Sequence, residues 1–189
     1  MTDAASEPSP DDALTARAAR GDAIAYSALV ARYYASCLRY AEHMLGDRWD
    51  AEDTVQETFM RAHLAMNRYD DRQQFKSWIF QILVNHCRTM ALQRARRARR
   101  FLRDETALRG APSPRTLVSE QFDTIEVVRD AVNELEPLLR EAFLLKYAEE
   151  MSYEDISAIL GVGVSALKMR VKRACDALRP RLEEIYRDG

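Results

Sequence analysis

An all-α fold, built as two small helical domains joined by a flexible linker, is what the 189-residue sequence predicts. Three observations carry the prediction. Apolar residues recur at the three-to-four-residue spacing of helices along most of the chain. Only six Gly and six Pro interrupt a composition that is 47% hydrophobic and 31% charged. The pattern then lapses between residues 104 and 120, where Gly110, Pro112 and Pro114 punctuate the chain.

Residues 1–12 mix Ser, Pro and Asp without periodicity and read as a disordered arm. The first domain is expected over 13–100. Its first long helix runs from Asp22 to Leu45, with Tyr26, Leu29, Val30, Tyr33, Cys37, Leu38, Ala41 and Leu45 on one side and Gly46 placed to stop it. A second helix starts near Asp50 and reaches about Asn67. A third starts near Gln74 or Phe75 and runs into an arginine cluster, Arg94, Arg96, Arg97, Arg99, Arg100 and Arg103.

After the linker, placed at 101–121, a second domain is expected over 122–185. Pro137 suits a first helical turn. Ser152 followed by Asp155, with Met151 and Ile156 as a hydrophobic staple, starts a helix at Tyr153. That helix stops at Gly161, and Val164, Leu167, Val171, Ala174 and Leu178 open the next one, so the pair reads as a helix-turn-helix.

Charge is distributed unevenly although the net value is only −2. The second helix carries two stripes. Val55, Phe59, Ala62 and Met66 face a core, while Asp53, Gln56, Glu57 and Met60 lie on the opposite side. That side suits either a basic partner helix or water. On the last helix Ser165, Lys168, Met169, Lys172 and Arg173 fall opposite or beside the apolar stripe, which fits a helix lying in a DNA major groove and equally a solvated cationic face. The third helix interleaves Phe75 and Trp78 with Lys76, Asn85 and Arg88, side chains that suit either unstacked bases and phosphates or a core with a charged rim.

Together these segments resemble the sigma-70 family of bacterial transcription initiation factors, in its short extracytoplasmic-function class. Asp50 to Phe59 (DAEDTVQETF) is similar to region 2.2, Phe75 to Phe80 (FKSWIF) with Asn85 to regions 2.3 and 2.4, and Met151 to Gly161 (MSYEDISAILG) with Lys168 to Ala174 (KMRVKRA) to region 4.2. The resemblance implies a sigma2-like bundle and a sigma4-like helix-turn-helix domain, with no room between them for the middle domain of larger sigma factors. It implies that Asp53, Gln56, Glu57 and Met60 meet core RNA polymerase. It further implies that Asp71, Arg72, Phe75, Lys76, Asn85 and Arg88 hold the melted minus-ten element of promoter DNA, and that Ser165, Lys168, Met169, Lys172 and Arg173 read the minus-thirty-five element. An anti-sigma factor is implied as a further partner, and a monomer within the holoenzyme. The sequence departs from the family at Gly163, Ala166 and Met169, where Pro or Ser, Thr, and Ser are common.

Two other classes of function compete with that reading. His43, His63 and His86 lack His-x3-His or Glu-x-x-His spacing, and Cys37, Cys87 and Cys175 form no CxxC pair, so no metal site is expected. Without a P-loop, a GxSxG elbow or a Gly-rich phosphate loop, no cofactor and no enzymatic activity are expected. A free-standing helix-turn-helix regulator remains, and it leaves the Asp53/Gln56/Glu57 side without a purpose. No run reaches the roughly 18 to 20 apolar residues of a spanning helix and the first residues are acidic, so a cytoplasmic protein outside the membrane is expected.

Overall fold

Helix boundaries in the computed structural model, which describes residues 11–69, 74–104 and 124–187, follow from local capping chemistry. Of the expected arm, 1–12, residues 1–10 lie outside the described residues while Asp11 is buried and Asp12 helical; of the expected linker, 101–121, residues 101–104 are helical and 105–121 lie outside the described residues. Helix α2 spans Ala23–Leu45. The Asp22 carboxylate accepts from the amides of Ile24 and Ala25 at 3.0 and 3.1 Å, and Gly46 ends the helix at φ 67°, donating to the Glu42 carbonyl. Helix α3 spans Arg48–Ala65 and begins where Asp47 accepts from the Asp50 amide at 2.9 Å. One 3-10 turn, Met66–Arg68, follows it, and α4 spans Phe75–Asp104.

A short helix, α1 (Asp12–Ala19), precedes these and is an addition to the sequence reading. Its buried side chains are only Thr15 and Ala18, which leave no apolar stripe to read. What ties it down is tertiary. Asp11, 3% exposed, accepts from the Arg32 guanidinium and the Tyr33 hydroxyl, both on α2.

Helices α2, α3 and α4 enclose one core, with Leu29, Val55, Phe80 and Leu83 fully buried and the ring of Tyr40 edge-on to Phe80 at 5.7 Å. The second unit comprises α5 (Thr124–Glu134), α6 (Pro137–Phe143), a π-helical turn at Leu144–Ala148, α7 (Tyr153–Leu160) and α8 (Val164–Arg187). Pro137 occupies the start of α6, and Ser152 Oγ caps α7 by accepting from the Asp155 amide at 3.0 Å. Gly161, at φ 67°, supplies the left-handed residue that turns α7 into α8.

The two units pack on each other, α7 against α4 and α5 and α6 against α2. Among the described residues no strand occurs, and no helix is long and apolar enough to cross a membrane.

Candidate nucleic-acid and protein interfaces

Burial sorts the two stripes of α3. Thr54, Val55, Thr58, Phe59 and Ala62 point into the core, whereas Asp53, Gln56 and Met60 are exposed, Met60 at 59%. Glu57 is half-buried and accepts from Arg61 Nε at 2.7 Å, one helical turn on. The four sequence-nominated residues thus share one open face. His86 and Met90 of α4 join them in lining a depression of about 330 Å³. The sequence reading nominates neither, because Met90 falls on the apolar arc of α4 and His86 is weighed only as a metal ligand; their four-residue spacing on one helical face is the available signal. Burial holds the His86 imidazole below its usual value, helped by the Arg61 charge and opposed by the Thr54 backbone.

Helix α8 presents the clearest division. Leu167, Val171, Ala174 and Leu178 are buried at 4% exposure or less. Ser165, Lys168, Met169, Lys172 and Arg173 are all exposed on its other side, as the helical period requires. Lys168 and Lys146 both approach the Tyr153 ring, at 5.5 and 4.7 Å, which anchors their stems beside the turn. Lys172 is 2.7 Å from Asp176. In the turn itself, Ser157 Oγ donates to the Val162 carbonyl at 2.6 Å.

The residues nominated for the minus-ten element are not gathered on an open surface. Asp71 and Arg72 lie outside the described residues. Phe75 is 1% exposed, packed between Tyr33 and Trp78 with ring centroids at 5.4 and 5.7 Å. The sequence reading that gives its ring to DNA is therefore corrected: the first turn of α4 drives that ring into the core, and no face is left for a base. Asn85 is exposed. Lys76 reaches the carboxylate of Glu149 at 3.4 Å, and Arg88 grips Glu141 with two hydrogen bonds of 2.8 and 2.7 Å. That bidentate bond is the main reason the Arg88 guanidinium is held even more firmly protonated than usual. Arg94, the first of the arginine cluster, donates to the Leu45 carbonyl at 2.8 Å and pairs with Asp50 at 3.1 Å, closing the α2–α3 corner.

Cys37 and Cys87 are buried, and burial pushes the Cys87 thiol up to about 12 and that of Cys37 higher still, so both behave as small core residues. Among the described residues no cluster of three His, Cys, Asp or Glu side chains has the arrangement of a metal site.

Family models place this architecture. The sigma-70 region 2 model matches residues 29–101 and the sigma-70 region 4 model matches 125–178. The RNA polymerase sigma factor NccH of Alcaligenes xylosoxydans xylosoxydans is 32% identical over 174 residues, covering 89% of this chain and 92% of NccH. The ECF RNA polymerase sigma factor SigW of Bacillus subtilis is 26% identical, covering 88% and 93% of the two chains. Among solved structures, the sigma factor RpoE in complex with the anti-sigma factor NepR from Bartonella quintana superposes with a TM-score of 0.65 at 27% identity, over 84% of this chain and 96% of RpoE. The α3 and α4 motifs fall inside the first matched region and the helix-turn-helix inside the second, so this chain belongs to the sigma-70 family of RNA polymerase sigma factors, in its extracytoplasmic-function class, and directs core polymerase to specific promoters.

Proposed function

We propose a division of labour among three faces of the molecule. The open face of α3, Asp53, Gln56, Glu57 and Met60, is the handle for core polymerase, with His86 and Met90 beside it. Lys76, Asn85 and Arg88, with Asp71 and Arg72 of the preceding connection, hold the upstream edge of the melted minus-ten element. Unstacking a base costs a few kcal/mol, and cations placed at the phosphates of the separated strand offset that cost. Ser165, Lys168, Met169, Lys172 and Arg173 lie against the minus-thirty-five duplex. Residues 13–100 form the first functional domain and 122–185 the second.

The observation that carries this reading is the two-sided α8, whose apolar residues are buried while its basic side remains exposed behind a glycine-bounded turn. Phosphoryl transfer belongs to polymerase, and this chain supplies binding energy and no catalytic group. It acts in the cytoplasm. An anti-sigma factor is its natural antagonist, as NepR is bound to RpoE in the solved complex. Run-off transcription tests the reading: core polymerase plus this chain initiates at a defined start on a cognate promoter fragment, and core polymerase alone does not. Binding of promoter duplex by the isolated chain with no stimulation of core polymerase would instead make it a free-standing DNA-binding regulator.

A further inference from the structure

The depression between α3 and α4 is rich in hydrogen-bond acceptors, and two of its polar groups lack partners. Thr54 lines it together with Asp53, Gln56, Glu57 and Met60 of the same helix and His86 and Met90 of α4. The Thr54 hydroxyl and the His86 Nδ1 atom are both buried, and neither has a hydrogen-bond partner. Leaving such groups unpaired costs about as much as losing a hydrogen bond each, so their survival here calls for a reason. With Nδ1 turned inward, Nε2 is the ring nitrogen that an incoming group can reach. The charges acting on the ring come from α3, Arg61 disfavouring its protonation and Glu57 favouring it, and burial outweighs both, so the imidazole is neutral near neutral pH. A neutral imidazole carries one N–H and one lone pair; with the proton on the inner nitrogen, Nε2 accepts. The opening is thus ringed by the Asp53 and Glu57 carboxylates, the Gln56 amide and His86 Nε2, between the thioethers of Met60, 59% exposed, and Met90. A guanidinium matches that set: its planar fork of five N–H groups spans a carboxylate and an imidazole together, and its faces lie against polarizable sulfur.

We propose that this depression is a socket for one arginine of core polymerase, in which His86 Nε2 accepts a hydrogen bond from the guanidinium that Asp53 and Glu57 draw in. The inference rests on the assignment of the α3 face to polymerase and deepens it. Asp53 and Glu57 supply attraction to any cation, whereas His86 selects a planar donor set. Protonated imidazole has no lone pair and adds a like charge, so only the neutral ring takes the arginine.

Full-length His86→Leu, His86→Gln and the charge reversal Asp53→Lys with Glu57→Lys test the socket. Each is labelled, and its binding to purified core polymerase is followed by fluorescence anisotropy, at neutral pH and at the His86 midpoint read from NMR of the free chain. His86→Leu should bind at least about tenfold more weakly than the parent, the scale of a lost hydrogen bond to a charged group. Its melting temperature should not fall, because the substitution also removes a buried, unpaired nitrogen. His86→Gln, whose amide oxygen reaches to about where Nε2 stands, should recover most of that loss. At the midpoint half of the imidazoles are protonated, so the parent should weaken about twofold relative to His86→Gln. Parental affinity in His86→Leu overturns the socket, even where the charge reversal abolishes binding and so upholds the polymerase face. Equal losses in the Leu and Gln variants overturn the acceptor role of His86, as does a parent-to-Gln ratio that stays constant on acidification. Should His86→Leu melt early, that ratio decides alone. Unchanged binding of the charge-reversed chain overturns the polymerase face and the socket with it.

Discussion

Removing Lys168 and Arg173 from α8 should change how DNA binding responds to salt as well as how tight it is. Both side chains project from the exposed side of the helix, and alanine is the best helix former, so the double substitution leaves Leu167, Val171 and Ala174 in place against the core. Each phosphate neutralised contributes about 0.9 to the slope of log affinity against log salt, so losing two removes about 1.8. Between roughly 0.05 and 0.2 M salt, a fourfold change, the parent protein should then lose about twelvefold more affinity than the variant. Lys172 makes a graded control. It already pairs with Asp176 at 2.7 Å and must exchange that partner for phosphate, so Lys172→Ala should shift the slope by less than the removal of one unencumbered cation. Fluorescence anisotropy on an upstream duplex, titrated at four or five salt concentrations, gives the slopes directly. Equal slopes for the parent and the double variant, with helical content unchanged by circular dichroism, would refute the placement of this face on DNA.

Two further outcomes follow from local chemistry. Ser152→Ala removes the acceptor for the Asp155 amide at the start of α7 and should cost about 1 kcal/mol of stability, seen as a lower urea midpoint with an unchanged slope; an unaltered midpoint would show that water replaces the cap without loss. The His86 imidazole should titrate below its usual 6.5 in a two-dimensional NMR pH series. Because the unfolded chain takes up that proton first, His86 contributes a loss of stability as pH falls from about 6.5 toward its folded midpoint, and none above. A midpoint at or above 6.5 contradicts the burial argument.

Legibility in the sequence tracked the range of the interactions. Asp22 and Gly46 bound α2, Pro137 starts α6, and Ser152 with Gly161 bounds α7, all through contacts a few residues long. Helix α1 was invisible for the opposite reason: its anchor, Asp11, acts on Arg32 and Tyr33, 21 and 22 positions away, and its own buried residues are small or polar. The exposed sides of α3 and α8 were readable because an amphipathic period leaves little freedom once the core side is known. Phe75 was not, since an aromatic residue at the head of a helix satisfies a core and a base equally well until its neighbours, Tyr33 and Trp78, are in place. Lys76 and Arg88 were read as open cations, yet Glu149 and Glu141 lie 73 and 53 positions further along the chain, and no periodicity connects them. Arg94 likewise left the basic cluster to serve the end of α2.

Equilibrium binding of core polymerase by the parent chain and by a charge-reversed variant, Asp53→Lys with Glu57→Lys, bears most directly on the handle. Asp53 is exposed, and the Glu57–Arg61 pair is a surface contact one helical turn apart, worth about 0.3–0.5 kcal/mol, so reversal should leave the melting curve nearly where it was. The parent should bind core polymerase and the variant should bind at least about tenfold more weakly, since like charges now face a basic partner surface. Equal affinities with intact folding would contradict the assignment of this face to polymerase.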